Sequence, residues 1–171
     1  LSARVGGPRI WVKRDDLSDC AVSGNKVRKL EFTIAQALQE GADTLITCGG
    51  LQSNHCRATA LLGARLGLGV ELVLRGEPSG TPDGNLFLDR LAGATVHCYP
   101  ARQYQQEHEA LLAAHASRLL DQGRHPVRVG HDVLDVAADG EAHMPFGIGV
   151  GDVAQLADRV HVHLALRAGA H

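Results

Sequence analysis

The spacing of hydrophobic positions between residues 9 and 122 changes repeatedly from one periodicity to another. Apolar residues three and four apart predict helices over 26–39, 53–67, 85–92 and 102–122. Short runs rich in β-forming residues predict strands at 9–13, 43–48, 70–74 and 95–99. The segment 75–84 holds two prolines and three glycines and predicts a loop. Because strands alternate with helices, the pattern predicts an α/β fold with right-handed parallel crossovers.

Lys26 stands where a loop becomes the first of these helices. Ser23, Gly24 and Asn25 precede it, and small polar residues are favoured at a helix entry. Lys29 follows about one turn later on the same side of the helix. An amine beside unbonded backbone N–H groups is well placed to meet a phosphate-bearing aldehyde. A solvated basic helix start is the alternative interpretation of the same residues.

A second segment combines a predicted strand, a glycine turn and a predicted helix. The strand at 43–48 is followed by Gly49-Gly-Leu-Gln-Ser-Asn-His55, and the next helix begins at this point. Ser53, Asn54 and His55 therefore lie at a helix start, where backbone N–H groups favour an anion. They add a hydroxyl, an amide and an imidazole to that site. The alternative is ordinary capping, in which Ser53 or Asn54 only accepts hydrogen bonds from the helix N–H groups.

Together, three ordered motifs resemble the D-cysteine desulfhydrase and 1-aminocyclopropane-1-carboxylate deaminase family. The motifs are Trp11-Val-Lys-Arg-Asp-Asp-Leu17, Ser23-Gly-Asn-Lys-Val-Arg-Lys-Leu-Glu31 and Gly49-Gly-Leu-Gln-Ser-Asn-His-Cys-Arg57. The likeness continues through 74–78 and 84–91 to the helix that ends near Gly123. It implies pyridoxal 5'-phosphate as cofactor and a fold similar to the tryptophan synthase β subunit. That fold is a three-layer parallel sheet with flanking helices.

The resemblance also assigns roles to individual residues. Lys26 matches the lysine that carries the cofactor, and Ser53 matches the catalytic hydroxyl. Asn54 matches the amide that donates a hydrogen bond to the ring oxygen of the cofactor. The backbone of Ser53 to His55 matches the pocket for the α-carboxylate of the substrate, and Lys29 corresponds to a lysine near the cofactor phosphate. No metal ligand is implied.

The implied reaction is an α,β-elimination that converts D-cysteine to pyruvate, ammonia and sulfide. His55 favours the desulfhydrases, because the deaminases usually carry Gln at this position. Two alternatives stay open, a 1-aminocyclopropane-1-carboxylate deaminase and a catalytically inactive α/β fragment of the same family. The resemblance further implies a small amino-acid substrate and, for the full-length family, a homodimer.

The resemblance predicts three regions along the chain. Residues 1–38 correspond to the start of the larger cofactor domain, residues 39–126 to the smaller βα domain, and 127–171 to a divergent tail. Because the tail lacks sustained periodicity, an altered reading frame or a truncation is favoured over a lineage-specific ending. We therefore expect the isolated chain to react weakly or not at all with the cofactor at Lys26. Within the tail, 160–166 predicts a strand with His161 and His163 on one face, where a polar face is favoured over a metal site.

Composition narrows the class of protein. A net charge of −2 and an aromatic content of 4% argue against a nucleic-acid-binding surface. No apolar run is long enough for a membrane span. The four cysteines lack C-x-x-C spacing, which argues against a zinc site and favours reduced thiols in a cytoplasmic protein. For Cys56, a small buried thiol is favoured over a nucleophile.

Overall fold

The computed structural model describes residues 24–130 without a gap, together with residues 4, 6, 7, 9, 11, 12, 14–17 and 22. This part of the chain alternates helices with the strands of one sheet. The helices are α1 (Lys26–Gln39), α2 (Asn54–Leu66), α3 (Gly84–Leu91) and α4 (Ala101–Asp121). The strands are β1 (Thr44–Gly50), β2 (Gly69–Arg75), β3 (Thr95–Tyr99) and β4 (Pro126–Arg128). A 3-10 helix, Asp15–Leu17, precedes α1.

The four strands form one parallel sheet in the order β3-β2-β1-β4. From β1 the chain passes through α2 to β2 and then outward to β3. It returns across the sheet through α4, and β4 pairs with the opposite side of β1, with Leu45 opposite Val127. The strand order therefore reverses at β1. In open α/β sheets, ligands bind at such a reversal, outside the carboxyl ends of the strands.

Helices cover both faces of the sheet, which gives the three layers predicted from the sequence. One face packs against α1, α2 and α3 through a core that includes Leu30, Leu45 and Leu72, each fully buried. The other face packs against α4 through Ile46 and Val73. Because successive side chains of a strand point to opposite faces, neighbouring residues of β1 and β2 belong to different cores.

Most predicted elements are confirmed within one or two residues. The predicted strand at 9–13 is wrong, because the described residues 9, 11 and 12 lie outside any strand. Trp11 is 82% exposed there, so its large side chain packs into no core among the described residues. The strand β4 was not predicted, since three residues are too few to show a period. The predicted strand at 160–166 lies outside the described residues. None of the helices described is both long and apolar enough to cross a bilayer.

Candidate active site

The turn between β1 and α2 holds Ser53 at the start of the helix. Ser53 is the N-cap of α2, with extended backbone angles, and its Oγ accepts a hydrogen bond of 3.2 Å from the backbone N–H of Cys56. A Cβ at Gly49 would lie 2.8 Å from the Oγ of Ser53, so the turn requires glycine at this position. Ser53 therefore caps the helix as the alternative interpretation predicts. A hydroxyl that accepts one hydrogen bond still carries its own proton as a donor.

Asn54 is held by a hydrogen-bond network that joins the starts of α2 and α3. The Nδ2 group of Asn85 donates to Asn54 Oδ1 at 2.9 Å and to the carbonyl of Gln52 at 2.8 Å. In return, Gln52 Oε1 accepts from the backbone N–H of Asn85 at 2.8 Å. Gly84 has a φ of +51°, and a Cβ there would lie 2.5 Å from Gln52 Oε1. The network fixes the side-chain oxygen of Asn54 as an acceptor. Asn54 is exposed, so its Nδ2 group can donate a hydrogen bond to a ligand.

His55 points into the protein. Its side chain is buried, and Nε2 lies 3.0 Å from the Oγ1 of Thr47 and 3.3 Å from the carbonyl oxygen of Val129. The imidazole thereby joins α2 to β1 and to the residue that follows β4. Because the imidazole is buried, only the backbone N–H of His55, in the first turn of α2, is placed to bind a carboxylate.

Lys26 is the first residue of α1 and is half-buried. The segment before it is fixed by Asp15, whose backbone carbonyl accepts a 2.9 Å hydrogen bond from Gly24 N–H. The carboxylate of Asp15 binds the guanidinium of Arg28 at 3.0 Å and 2.9 Å. Asn25 is the N-cap of α1 but makes no side-chain capping bond. Lys29 is also half-buried, one turn further along α1. Ser23 lies outside the described residues.

The two helix starts belong to one packed unit. Helices α1 and α2 contact each other, and α1 leads into the amino end of β1 while α2 leaves its carboxyl end. Ser53 and Asn54 are thus adjacent in one turn, whereas Lys26 is supplied by the neighbouring helix. Between them lies the same apolar core, to which Leu30 of α1 and Cys56 of α2 both belong.

Two ionisable groups lie inside this core, and neither is a nucleophile. Burial raises the pKa of the Cys56 thiol to about 12, so the thiol stays protonated and the sequence-based preference for a small buried residue agrees with its position. Asp89 of α3 is fully buried, and neither carboxylate oxygen has a hydrogen-bond partner among the described residues. Burial raises the pKa of Asp89 to about 7, although the charge of Arg57 acts to lower it. Asp89 is not among the residues singled out from the sequence, because a lone acidic residue in a predicted helix carries no signal of burial.

Comparisons with known proteins point to one family. The chain is 46% identical over 133 residues to the mitochondrial bifunctional D-cysteine desulfhydrase/1-aminocyclopropane-1-carboxylate deaminase of Arabidopsis thaliana. The matched region makes up 74% of this chain and 33% of the relative. It is 42% identical over 127 residues to the D-cysteine desulfhydrase of Yersinia pestis, covering 70% of this chain and 37% of the relative. The chain thus spans about a third of the length of these curated relatives.

A solved structure and a family profile extend the comparison. The crystal structure of an ACC deaminase homologue matches with a TM-score of 0.62 and 30% sequence identity, over 93% of this chain and 42% of that one. The profile that describes pyridoxal-phosphate dependent enzymes matches residues 1–140, which includes the turn at Ser53, the helix start at Lys26 and the strand β4. These matches confirm the family and the fold inferred from the sequence motifs. The chain belongs to the family of pyridoxal-phosphate dependent enzymes.

Proposed function

We propose that this chain forms one wall of a pyridoxal-phosphate site in a lyase that acts on D-cysteine. The observation that carries the proposal is the turn between β1 and α2. It presents the Ser53 hydroxyl and a helix N-terminus at the carboxyl end of β1, beside the reversal of strand order. Helix α1 packs against α2, and its last residue leads to the amino end of β1. We therefore infer that α1 begins near the carboxyl end of β1, with Lys26 as its first residue.

The chemistry of these groups fits the cofactor and an amino-acid substrate. A primary amine condenses with an aldehyde, and a helix N-terminus binds a phosphate or a carboxylate. The Nδ2 group of Asn54 suits a phenolic ring oxygen as acceptor. Gly49 and Gly50 carry no side chains, so nothing from these positions covers the turn. Pyridoxal phosphate, when bound, supplies the electron sink for the reaction.

Each residue of the site then has a definite task. Lys26 would hold the cofactor through Nζ and, as a free amine, would accept the proton from the Cα of the substrate. The backbone N–H groups of Asn54 and His55 would bind the α-carboxylate and orient Cα, which lowers the entropic part of the barrier. The N–H of Ser53 already donates to the carbonyl of Gly50 at 2.9 Å. The Oγ of Ser53, next to these N–H groups, would donate or accept a proton during the reaction. Lys29 would contribute positive charge near the phosphate.

A 1-aminocyclopropane-1-carboxylate deaminase is the second candidate. It is supported by the matching solved structure, which is named an ACC deaminase homologue, and by the Arabidopsis relative, whose name carries both activities. We favour D-cysteine because of His55 in the Ser53 motif and because of the desulfhydrase name of the Yersinia relative. The proposal extends to a homodimer, which the mass measured by sedimentation would test, and to a cytoplasmic location.

The lysine content of the chain allows a sharp test. The sequence contains three lysines, Lys13, Lys26 and Lys29. The chain would be incubated with pyridoxal phosphate and reduced with borohydride, which fixes the cofactor to the amine that has condensed with it. Peptide mass spectrometry then locates the label, and Lys26→Ala and Lys29→Ala serve as matched variants. Sulfide released from D-cysteine and ammonia released from 1-aminocyclopropane-1-carboxylate are measured in parallel.

Because reduction traps even a sparsely populated Schiff base, we expect a weak label at Lys26, which is lost in Lys26→Ala and kept in Lys29→Ala. Equal labelling of all three lysines would overturn the assignment of the cofactor site. Label at Lys26 without any product would identify the isolated chain as a catalytically inactive fragment. Sulfide release from D-cysteine that disappears in Lys26→Ala would establish the lyase, and ammonia release from the cyclopropane substrate alone would favour the second candidate.

A further inference from the structure

A buried carboxylate and two imidazoles meet on the face of the sheet that is covered by α4. Glu71 belongs to β2 and is 5% exposed, His97 belongs to β3, and His115 belongs to α4. Glu71 Oε2 lies 3.2 Å from His97 Nε2 and 3.4 Å from His115 Nδ1. The three donor atoms all lie within 4.8 Å of one another. We call these three residues the Glu–His–His cluster.

Neighbouring groups hold the cluster in this arrangement. The Tyr99 hydroxyl lies 2.8 Å from His115 Nε2, so the second ring nitrogen of His115 already has a partner. The imidazoles of His97 and His115 lie against each other, with ring centroids 4.0 Å apart. The guanidinium of Arg118 donates to the other carboxylate oxygen of Glu71. Tyr99 and the paired imidazoles therefore position the donor atoms before any ligand arrives, whereas the positive charge of Arg118 opposes a cation there.

We propose that the Glu–His–His cluster binds a zinc ion. Zinc takes histidine nitrogen and carboxylate oxygen at about 2.0–2.2 Å, usually with tetrahedral angles. Two ligand atoms of such a site lie about 3.3 Å apart, a value that follows from those bond lengths. The distances of 3.2 Å and 3.4 Å from Glu71 Oε2 match this spacing. Zinc would join Glu71, His97 and His115, with water in the fourth position.

Features around the cluster agree with this donor set. A histidine that binds metal usually gives its other ring nitrogen to a fixed partner, as Tyr99 provides for His115. The side chain of His97 is 28% exposed, which leaves an opening for the ion and for water. Bound zinc would connect α4 to β2 and β3, the strand pair at the side of the sheet away from β4. We therefore expect zinc to stabilise the fold, because a ligand that binds only the folded chain raises its stability.

The test is zinc affinity, measured by competition with a chromophoric chelator after metal has been stripped from the 171-residue chain. The sequence holds ten histidines, so the number of ions bound does not by itself decide the question. Matched variants do decide it. His115→Gln and His97→Gln remove ligands, whereas His108→Gln removes a half-buried histidine that lies outside the cluster on the same helix as His115. Circular dichroism confirms that each variant is folded.

We expect the Kd of one zinc ion to rise about a hundredfold in His115→Gln and in His97→Gln, because the loss of a residue that merely contacts a ligand already weakens metal binding about ten- to a hundredfold. In His108→Gln the Kd should stay within about twofold of the wild-type value. Zinc should raise the melting temperature of the wild-type chain and of His108→Gln, but not that of the ligand variants. Folded His115→Gln that binds zinc as tightly as the wild-type chain would overturn the proposal.

Arg118→Ala provides a test in the opposite direction. Its guanidinium competes with a cation for the Glu71 carboxylate, and its side chain is 42% exposed, so its removal leaves the core intact. We expect Arg118→Ala to bind zinc several-fold more tightly than the wild-type chain. This variant also decides the matter if the histidine variants fail to fold, because unchanged or weaker binding in Arg118→Ala contradicts a zinc site at Glu71.

Discussion

Asp89 should make the stability of this chain depend on pH between about 4 and 7. The carboxyl group is fully buried in α3, and its pKa is raised from 3.8 to about 7, with burial as the main cause. Below pH 3.8 the group is protonated in both the folded and the unfolded chain. Between the two pKa values only the unfolded chain releases the proton. Stability is therefore greatest at low pH and is lost as pH rises towards 7.

The size of the effect follows from the shift. Each pKa unit corresponds to about 1.4 kcal/mol, so the rise from pH 5 to pH 8 lowers the free energy of unfolding by about 3 kcal/mol through this group. Above pH 7 both states are ionised and the contribution is constant. Asp89→Asn replaces the carboxyl with an uncharged group of similar shape. A buried amide has its own desolvation cost, but that cost does not change with pH and cancels in the comparison.

Urea denaturation followed by circular dichroism would measure the free energy of unfolding at pH 5 and at pH 8. Relative to the wild-type chain, Asp89→Asn should gain about 3 kcal/mol between the two pH values. Asp121→Asn is the matched control, because Asp121 is exposed at the end of α4. A raised pKa at Asp89 is refuted if Asp89→Asn and Asp121→Asn both follow the same pH dependence as the wild-type chain.

Three further predictions concern the packing of α2 and of the turn before it. Gly49→Ala should lower the free energy of unfolding, measured in urea, by about 1–3 kcal/mol, because the new Cβ lies 2.8 Å from neighbouring side-chain atoms. Gly50→Ala is the control and should change the free energy of unfolding little, because the nearest neighbour of its Cβ is 4.0 Å away. Gly63→Ala places a Cβ 2.2 Å from the Val70 side chain, and the added substitution Val70→Ala should recover part of the lost thermal stability. Asn85→Ala removes hydrogen bonds to Gln52 and Asn54, on either side of the N-cap of α2, and should cost about 1–2 kcal/mol, with faster amide hydrogen exchange at residues 53–56.

The local parts of this structure could be predicted from the sequence because short-range patterns determine them. Helix α1 was predicted with its observed bounds from the apolar spacing of Val27, Leu30, Ile34 and Leu38. The position of Ser53 at the start of α2 followed from a strand, a glycine pair and an apolar helix in succession. In both cases the residues that define the feature are neighbours in the chain, within one helix or one strand–turn–helix unit.

The parts that were missed depend on which strands pair. The strand β4 pairs with β1, which is more than seventy residues earlier, and no local pattern records this. Glu71 and His97 meet because β2 and β3 pair in parallel with Val73 opposite His97, so that both side chains face α4. The burial of Asp89 likewise depends on α3 packing against α2. A polar residue in a helix pattern otherwise suggests an exposed face.

The alternation of side chains along β2 also separates the two proposed sites. Glu71 and Val73 face α4, whereas Leu72 and Leu74 face the core shared by α1 and α2. Sites on opposite faces that share no side chain should respond independently to substitution. We therefore expect folded His115→Gln to lose zinc affinity yet keep borohydride-trapped cofactor at Lys26, and Lys26→Ala to lose the trapped cofactor yet bind zinc as the wild-type chain does. Loss of labelling at Lys26 in folded His115→Gln would show that the two faces are coupled through the sheet.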